Sequence, residues 1–340
     1  MNASADAARS GAAGRRADRS PLSSGWLVVA SKELADHLLS VRFFVLLLVL
    51  GAAAVIPLYF AAERLRSLAS DISGLQAVFL ALFTVSPEGV PDFRVDVFVG
   101  IAAPLLGIGF AFDAVNGERS EGTLPRLLSQ PIHRDDVING KFTAGLTVIA
   151  LVLLAVMLAI SGFGIARLGL VPAASEVMRL VIWYLVTVLY VALWLAFGLL
   201  LSVVVRRGAT AALAGFGVWL FVAIPYFGPR FIAAILGIFL RPATSEEVLG
   251  AQGIQEFVLR FLPSRLYAEV SIVLLNPSVT TVSTPATIDQ YLQFQQQIPT
   301  LVSLDQSLLL IWPHVVVLLA LTVGCFALAY AKFMRQEVRA

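Results

Sequence analysis

The chain has 340 residues, is 59% hydrophobic and only 14% charged, and has a mean hydropathy of +0.87. Water-soluble domains run near ~45–50% apolar and ~25% charged, so this balance excludes a charge-clothed globule, a disordered chain, collagen and a nucleic-acid reader, and it suits a lipid bilayer. The net charge of +2 is too small to define a partner, and the single cysteine, Cys325, excludes both an internal disulfide framework and a multi-cysteine metal site.

Residues 1–21 are rich in Ala, Ser, Gly and Arg and read as a disordered cytoplasmic tail. An Arg- and Ser-rich transit peptide is the alternative, weakened by Asp6 and Asp18. No apolar stretch follows soon enough for a cleaved leader, so the first span is expected to act as an uncleaved signal. Between 22 and 42, Trp26, Leu27, Ala30, Leu34, His37, Leu38 and Val41 recur at three- and four-residue steps, with Lys32, Glu33 and Asp36 elsewhere. That pattern predicts an amphipathic elbow helix in the membrane interface; a helix packed on a soluble partner is the other reading.

A helix needs about 20 mostly apolar residues to cross the hydrocarbon. The expected spans are 42–60, 97–112, 142–166, 180–205, 209–227 and 308–331. The run 209–240 is too long for one span and is broken by Pro225, Gly228, Pro229 and Arg230. It is read as a span followed by a re-entrant element over 231–240, with a single kinked helix as the alternative. The fold class expected is therefore all-α, with six transmembrane helices, an interfacial elbow, and a re-entrant and extracytoplasmic region between spans five and six.

Orientation follows from Lys and Arg. With the N-terminus inside, the inner segments 1–42, 113–141, 206–208 and 332–340 carry fifteen basic residues in 83 positions. The outer segments 63–96, 167–179 and 241–307 carry eight in 114. This satisfies the positive-inside rule and predicts a plasma (cytoplasmic) membrane protein with both termini cytoplasmic.

Within those spans Arg42, at a boundary, is the only Asp, Glu, Lys or Arg, and His314 is the one imidazole near them. Proton relays and ion sites keep charges at mid-membrane, so an ion-coupled transporter is disfavoured, and His314 reads as an interfacial cap. Catalytic motifs are missing too: there is no Gly-x-Ser-x-Gly, no His-Glu-x-x-His and no Walker A, since Asp135 stands five before Gly140 and Phe142 follows Lys141. The chain is expected to be no enzyme and to hold no cofactor of its own.

The densest charged stretch is 113–141, DAVNGERSEGTLPRLLSQPIHRDDVINGK. Residues 114–121 can extend the second helix below the membrane, and Gly122 ends it through a left-handed cap. Thr123 can cap a short helix that tolerates Pro125 in its first turn. Leu124, Leu127 and Leu128 form its apolar face, Pro131 breaks it, and 134–141 starts the third helix. Such a helix cannot bury its leucines alone; the sinks are the headgroup region or the groove of a docked cytoplasmic protein. A rim of Glu118, Arg119, Glu121, Arg126 and Arg134 suits the second.

This stretch resembles the signature of ABC type-2 permeases, the membrane subunits of ATP-binding-cassette transporters, through Glu118, Gly122, Thr123, Leu127, Leu128, Ser129, Pro131, Arg134, Gly140 and Lys141. The topology over 22–340 is similar, as are Phe261-Leu-Pro-Ser-Arg-Leu-Tyr267 and Leu275-Asn-Pro277; Pro125 departs from the usual polar or basic residue. The resemblance implies a half-transporter, an exporter working through a dimeric pathway. Its partners would be a second permease subunit, identical or not, and a separate nucleotide-binding ATPase that carries the ATP and Mg. Docking would use Glu118, Arg119, Glu121, Gly122, Thr123, Leu124, Leu127, Leu128, Pro131, Arg134 and Lys141. An account of another class, a membrane anchor or assembly factor that docks a complex without transport, fits the same patch.

The external segment 241–307 shows helical periodicity over 245–275, a linker over 276–286 and a Gln-rich stretch after it. It reads as an extracytoplasmic cap, or as a gate or docking face. With no fixed charge in the spans, an amphiphile or hydrophobic solute is the expected cargo.

Overall fold

The computed structural model describes residues 25–67, 77–90, 92–123, 133–223, 235, 254, 259–279 and 302–335. Every regular element among them is helical: α1 (Gly25–Leu38), α2 (Val41–Ser67), α3 (Val78–Thr84), α4 (Val95–Ala111), α5 (Asn116–Ser120), α6 (Arg134–Leu168), α7 (Ala174–Val204), α8 (Gly208–Ala223), α9 (Pro263–Leu275) and α10 (Leu304–Met334).

Five helical stretches are long and apolar enough to cross a membrane: Val41–Ser67, Val95–Ser120, Arg134–Leu168, Ala174–Val204 and Leu304–Met334. They correspond to the expected spans one, two, three, four and six. The expected span 209–227 is represented by α8, an apolar helix of 16 residues; positions 224–227 lie outside the described residues, as do the tail 1–21 and, Ile235 apart, the re-entrant element 231–240. Pro57, Pro104 and Pro313 sit inside α2, α4 and α10, where neighbouring helices can satisfy the freed backbone. No proline interrupts α6 or α7.

α7 is the central helix. In its most apolar stretch 72% is buried, against 22% for α2 and for α10. It packs on α10, α4, α6 and α9. Lipid rewards no apolar burial between helices, so small residues that let backbones approach decide the contacts. At Gly107 of α4 an added Cβ would stand 2.6 Å from the Leu195 nitrogen and 2.7 Å from the Val191 oxygen of α7. Gly198 of α7 likewise faces Ala111 and Ile108.

The helices run past the expected span limits, and this corrects the picture of spans free of charge. Asp96, Lys141, Glu176 and Arg179, assigned to loops or span boundaries by composition, are helical and buried. Each is paired or bonded within the protein, which is why a strongly apolar span can begin with a charged turn. Arg94 lies 3.1 Å from Asp96. Glu176 accepts the amides of Phe79 at 3.0 Å and Ala173 at 2.7 Å. Arg179 donates to the carbonyls of Val273, Leu274 and Val302 and to Ser307 Oγ, the closest at 2.6 Å.

The described part of 241–307, read from the sequence as an extracytoplasmic cap, packs among the long helices. α9 buries Leu266, Tyr267, Val270, Val273 and Leu274 against α4, α7, α8 and α10. Trp183 Nε1 donates to Ser271 Oγ at 3.0 Å, Thr187 Oγ1 and the Tyr267 hydroxyl are 3.1 Å apart, and Tyr190 stacks on Tyr267 at 4.5 Å. His314 makes a cross-helix bond and is no interfacial cap: its Nε2 lies 2.7 Å from Glu269 Oε2, and Arg260 lies 3.3 Å from Oε1. Burial pushes the Glu269 carboxyl up, but the hydrogen bond from His314 and the charge of Arg260 outweigh it and hold it below its ordinary value.

Two outcomes are expected from this packing. Gly107→Leu forces α4 from α7 and should lower stability by ~1–3 kcal/mol or more, read as a fall in the unfolding midpoint in detergent; an unchanged midpoint would show that the contact is not tight. A carboxyl depressed in the folded state stabilises above its unfolded value, about 4.3 for Glu, and loses that contribution as pH falls through the folded value. Amide protection of α9 should therefore hold from neutral pH down to about 4 and decline below it, and Glu269→Gln should remove that decline.

Candidate functional site

One end of the bundle brings α1, α5 and the start of α6 together. Asp136, in the first turn of α6, accepts the His133 amide at 3.1 Å through one carboxylate oxygen and the Trp26 amide at 3.1 Å through the other. One carboxylate thus starts α6 and ties down the first turn of α1. The two helices cross at Gly140, where an added Cβ would lie 2.7 Å from Val29 and 2.9 Å from the Trp26 carbonyl oxygen. A residue with any side chain there would lift α1 off.

One turn beyond the Asp136 contact, Lys141 points into the junction with 4% of its side chain exposed. Its Nζ donates to Glu33 of α1 at 2.9 Å and to Glu118 of α5 at 2.8 Å. A buried ammonium shared by two carboxylates joins three chain segments that are far apart in sequence. Glu33 therefore lies on the packed face of α1 with Val29, Ala30, Leu34 and His37, whereas Leu27 is 48% exposed. This corrects the amphipathic assignment at one position, Glu33, which was set off the apolar face. The reason is that an ion pair with Lys141 outweighs the polarity of one position. The His37 ring stands edge-on to Phe110 at 5.0 Å, and burial pushes its imidazole below the ordinary value while Glu33 works the other way.

α5 is fixed from two more sides. The α4–α5 bend frees the amides of Val115 and Asn116, and Ser202 Oγ of α7 accepts both, at 2.9 and 3.2 Å. Asn116 Nδ2 returns a bond to the Val205 carbonyl at the end of α7, 3.2 Å away. Arg42, at the start of α2, pairs with Asp113 at 2.5 Å and lies 5.1 Å over the Phe112 ring.

The end of α5 is closed as the sequence led us to expect at Gly122, which takes φ 70°. Thr123 bonds backward: its amide and hydroxyl both donate to the Glu118 carbonyl, at 2.9 and 3.2 Å, so it seals α5; the short helix expected after it lies outside the described residues. The amide bond runs six residues to one, as in a Schellman closure. Glu121, Gly122 and Thr123 are exposed, and Arg119 and Arg134 are half-buried. Leu124, Leu127, Leu128 and Pro131 lie outside the described residues.

A family model described as ABC-2 family transporter protein matches residues 27–338. The chain belongs to the ABC-2 family. It is similar to a protein of Stutzerimonas stutzeri described as a probable ABC transporter permease protein NosY, 33% identical over 128 residues, a stretch that covers 36% of this chain and 44% of that relative.

Within this ABC-2 chain the signature residues divide by role. Glu118, Gly122, Thr123, Gly140 and Lys141 build and close the junction itself, while Arg134 opens α6 beyond it; Glu121, expected for docking, is exposed. Sequence reasoning missed Glu33, Asp136, Ser202 and Asn116. Glu33 carried a readable signal, an acidic residue at helical spacing between Ala30 and His37; the other three do not differ from ordinary polar residues until the helices meet.

Lys141→Met should leave Glu33 and Glu118 buried without their cation and destabilise by ~3–5 kcal/mol. Lys141→Met/Glu33→Gln/Glu118→Gln, which removes the charges together, should recover most of that loss. Thermal unfolding of the three proteins in detergent decides it: a single mutant as stable as the triple would mean that the ion triplet is not buried.

Proposed function

We propose that this ABC-2 chain is the membrane-spanning permease subunit of an ATP-driven exporter. In this reading it crosses the membrane six times, α1 lies in the interface as the elbow, and two permease subunits pair around the pathway. A separate nucleotide-binding ATPase, which holds ATP and Mg, docks on the segment 113–141 at the cytoplasmic side. The chain then contributes no catalytic group and turns the ATPase's closure into a change of the side to which the pathway opens.

The observation that carries this reading is the bridge from Lys141 to Glu33 and Glu118. It joins both flanks of the docking segment to α1, so a push on 118–134 would move α1, α5 and the head of α6 as one body. The family membership gives such a body its motor. Among the described residues Lys141 is paired with Glu33 and Glu118 and Asp96 with Arg94, while Glu176 and Arg179 are bonded to backbone and hydroxyl groups; these charges are engaged in holding the fold, which favours an amphiphilic or hydrophobic solute over an ion.

Co-purification of the full chain with the ABC ATPase encoded beside it tests the proposal. Leu127→Asp should weaken docking by ~1–4 kcal/mol, the range of interface hot spots, with membrane insertion unchanged. Equal ATPase recovery in mutant and parent would remove the docking assignment. Capture of a partner with no nucleotide site would instead support the anchor or assembly role.

A further inference from the structure

α7 is bonded at both ends to elements that are not its chain neighbours. At the inner end Ser202 holds the two amides freed by the α4–α5 bend, and Asn116 holds the Val205 carbonyl in return. At the outer end Arg179 holds Val273 and Leu274, the last carbonyls of α9, together with Val302 and Ser307 at the entrance to α10. Twenty-three residues separate Ser202 from Arg179, about 35 Å of helix, and no proline breaks the hydrogen-bond ladder between them.

The side of α7 that runs between these ends also carries α9. Trp183 bonds Ser271, Thr187 meets Tyr267, and Tyr190 stacks on the same Tyr267. The other long helix without proline, α6, ends differently: its outer polar contact is Arg66 on the Arg167 carbonyl, exposed and at 3.5 Å. Among the described residues, α6 therefore meets the docking side but has no comparable grip on an outer element. α7 has both.

We propose that α7 is the rod that carries movement from the docking segment to α9, and that α9 is the outer element that shifts between nucleotide states. Ser202 and Arg179 are the positioning residues of this link, one at each end. Buried polar contacts break and re-form as discrete arrangements, so a tilt of α7 at Ser202 is passed on at Arg179 and at the Tyr190–Tyr267 stack as a change in how α9 seats. The proposal rests on the reading that 113–141 docks an ATPase, but its first test does not need the ATPase.

Amide exchange of the full chain in nanodiscs tests the link directly. Ser202→Ala should raise exchange at 115–121 and also at 263–275, which meets α7 from about 18 Å (at Tyr190) to about 35 Å (at Arg179) away along the helix; a change confined to 115–121 would overturn the proposal. Arg179→Met should diminish the distant response to Ser202→Ala, leaving what the Tyr190–Tyr267 stack passes on, and Arg179→Lys, which keeps a cation and guards against loss of folding, should diminish it less. A distant response that survives undiminished in both Arg179 variants would equally overturn it. In the complex with the co-purified ABC ATPase, ATP with vanadate should alter exchange at 263–275 in the parent and not in Ser202→Ala. Exchange there that ignores nucleotide while the ATPase is bound and active would remove α9 as the moving element and leave the docking assignment standing. A chain that recruits no ATPase would refute the docking assignment, and the Ser202→Ala comparison in the chain alone would still decide the link.

Discussion

In a bilayer, an apolar side chain gains almost nothing by leaving lipid for a neighbouring helix, so hydrophobicity cannot say which helices should touch. Here that choice falls to two buried cations at opposite ends of the bundle. Lys141 joins α1, α5 and α6 at one end, and Arg179 joins α7, α9 and the entrance to α10 at the other. Each is surrounded by acceptors that would otherwise be left without donors in a dry interior, and each therefore fixes geometry more strongly than the many apolar contacts between them.

The glycines complete what the cations begin. Gly140 lets α1 lie against α6 closely enough for Glu33 to reach Lys141, and Gly107 lets α4 lie against α7 closely enough for the bend after Phe112 to meet Ser202. Close approach and polar bond are in each case a single device: the first sets the separation of the backbones, and the second makes that separation the preferred one. The Lys141 junction is thus tied together up to Gly122, which closes α5 in a left-handed turn.

Much of this was legible in the chain itself. Five of the long apolar runs are helices where hydropathy placed them, the third of them begins at Arg134, and Gly122 turns as its lack of a side chain suggested. Other features were misread for one physical reason: sequence patterns weigh each residue by its own polarity, whereas a charge with a buried partner behaves as part of the core. Glu33 faces inward because Lys141 is there, Arg179 is buried because the end of α9 offers it carbonyls, and His314 faces Glu269 because α9 lies within the bundle rather than over it.

The sequence by itself determined that the chain belongs in a membrane, roughly where its helices begin and end, and that 113–141 is its distinctive segment, since hydropathy, proline and glycine act locally and need no partner. Only the tertiary structure decided which face of α1 is buried, that α9 is an internal helix, and that Ser202 and Asn116 bind α5 to α7. Those facts depend on distances between residues tens to hundreds of positions apart, and no periodicity within one helix encodes the neighbour that will satisfy its polar groups.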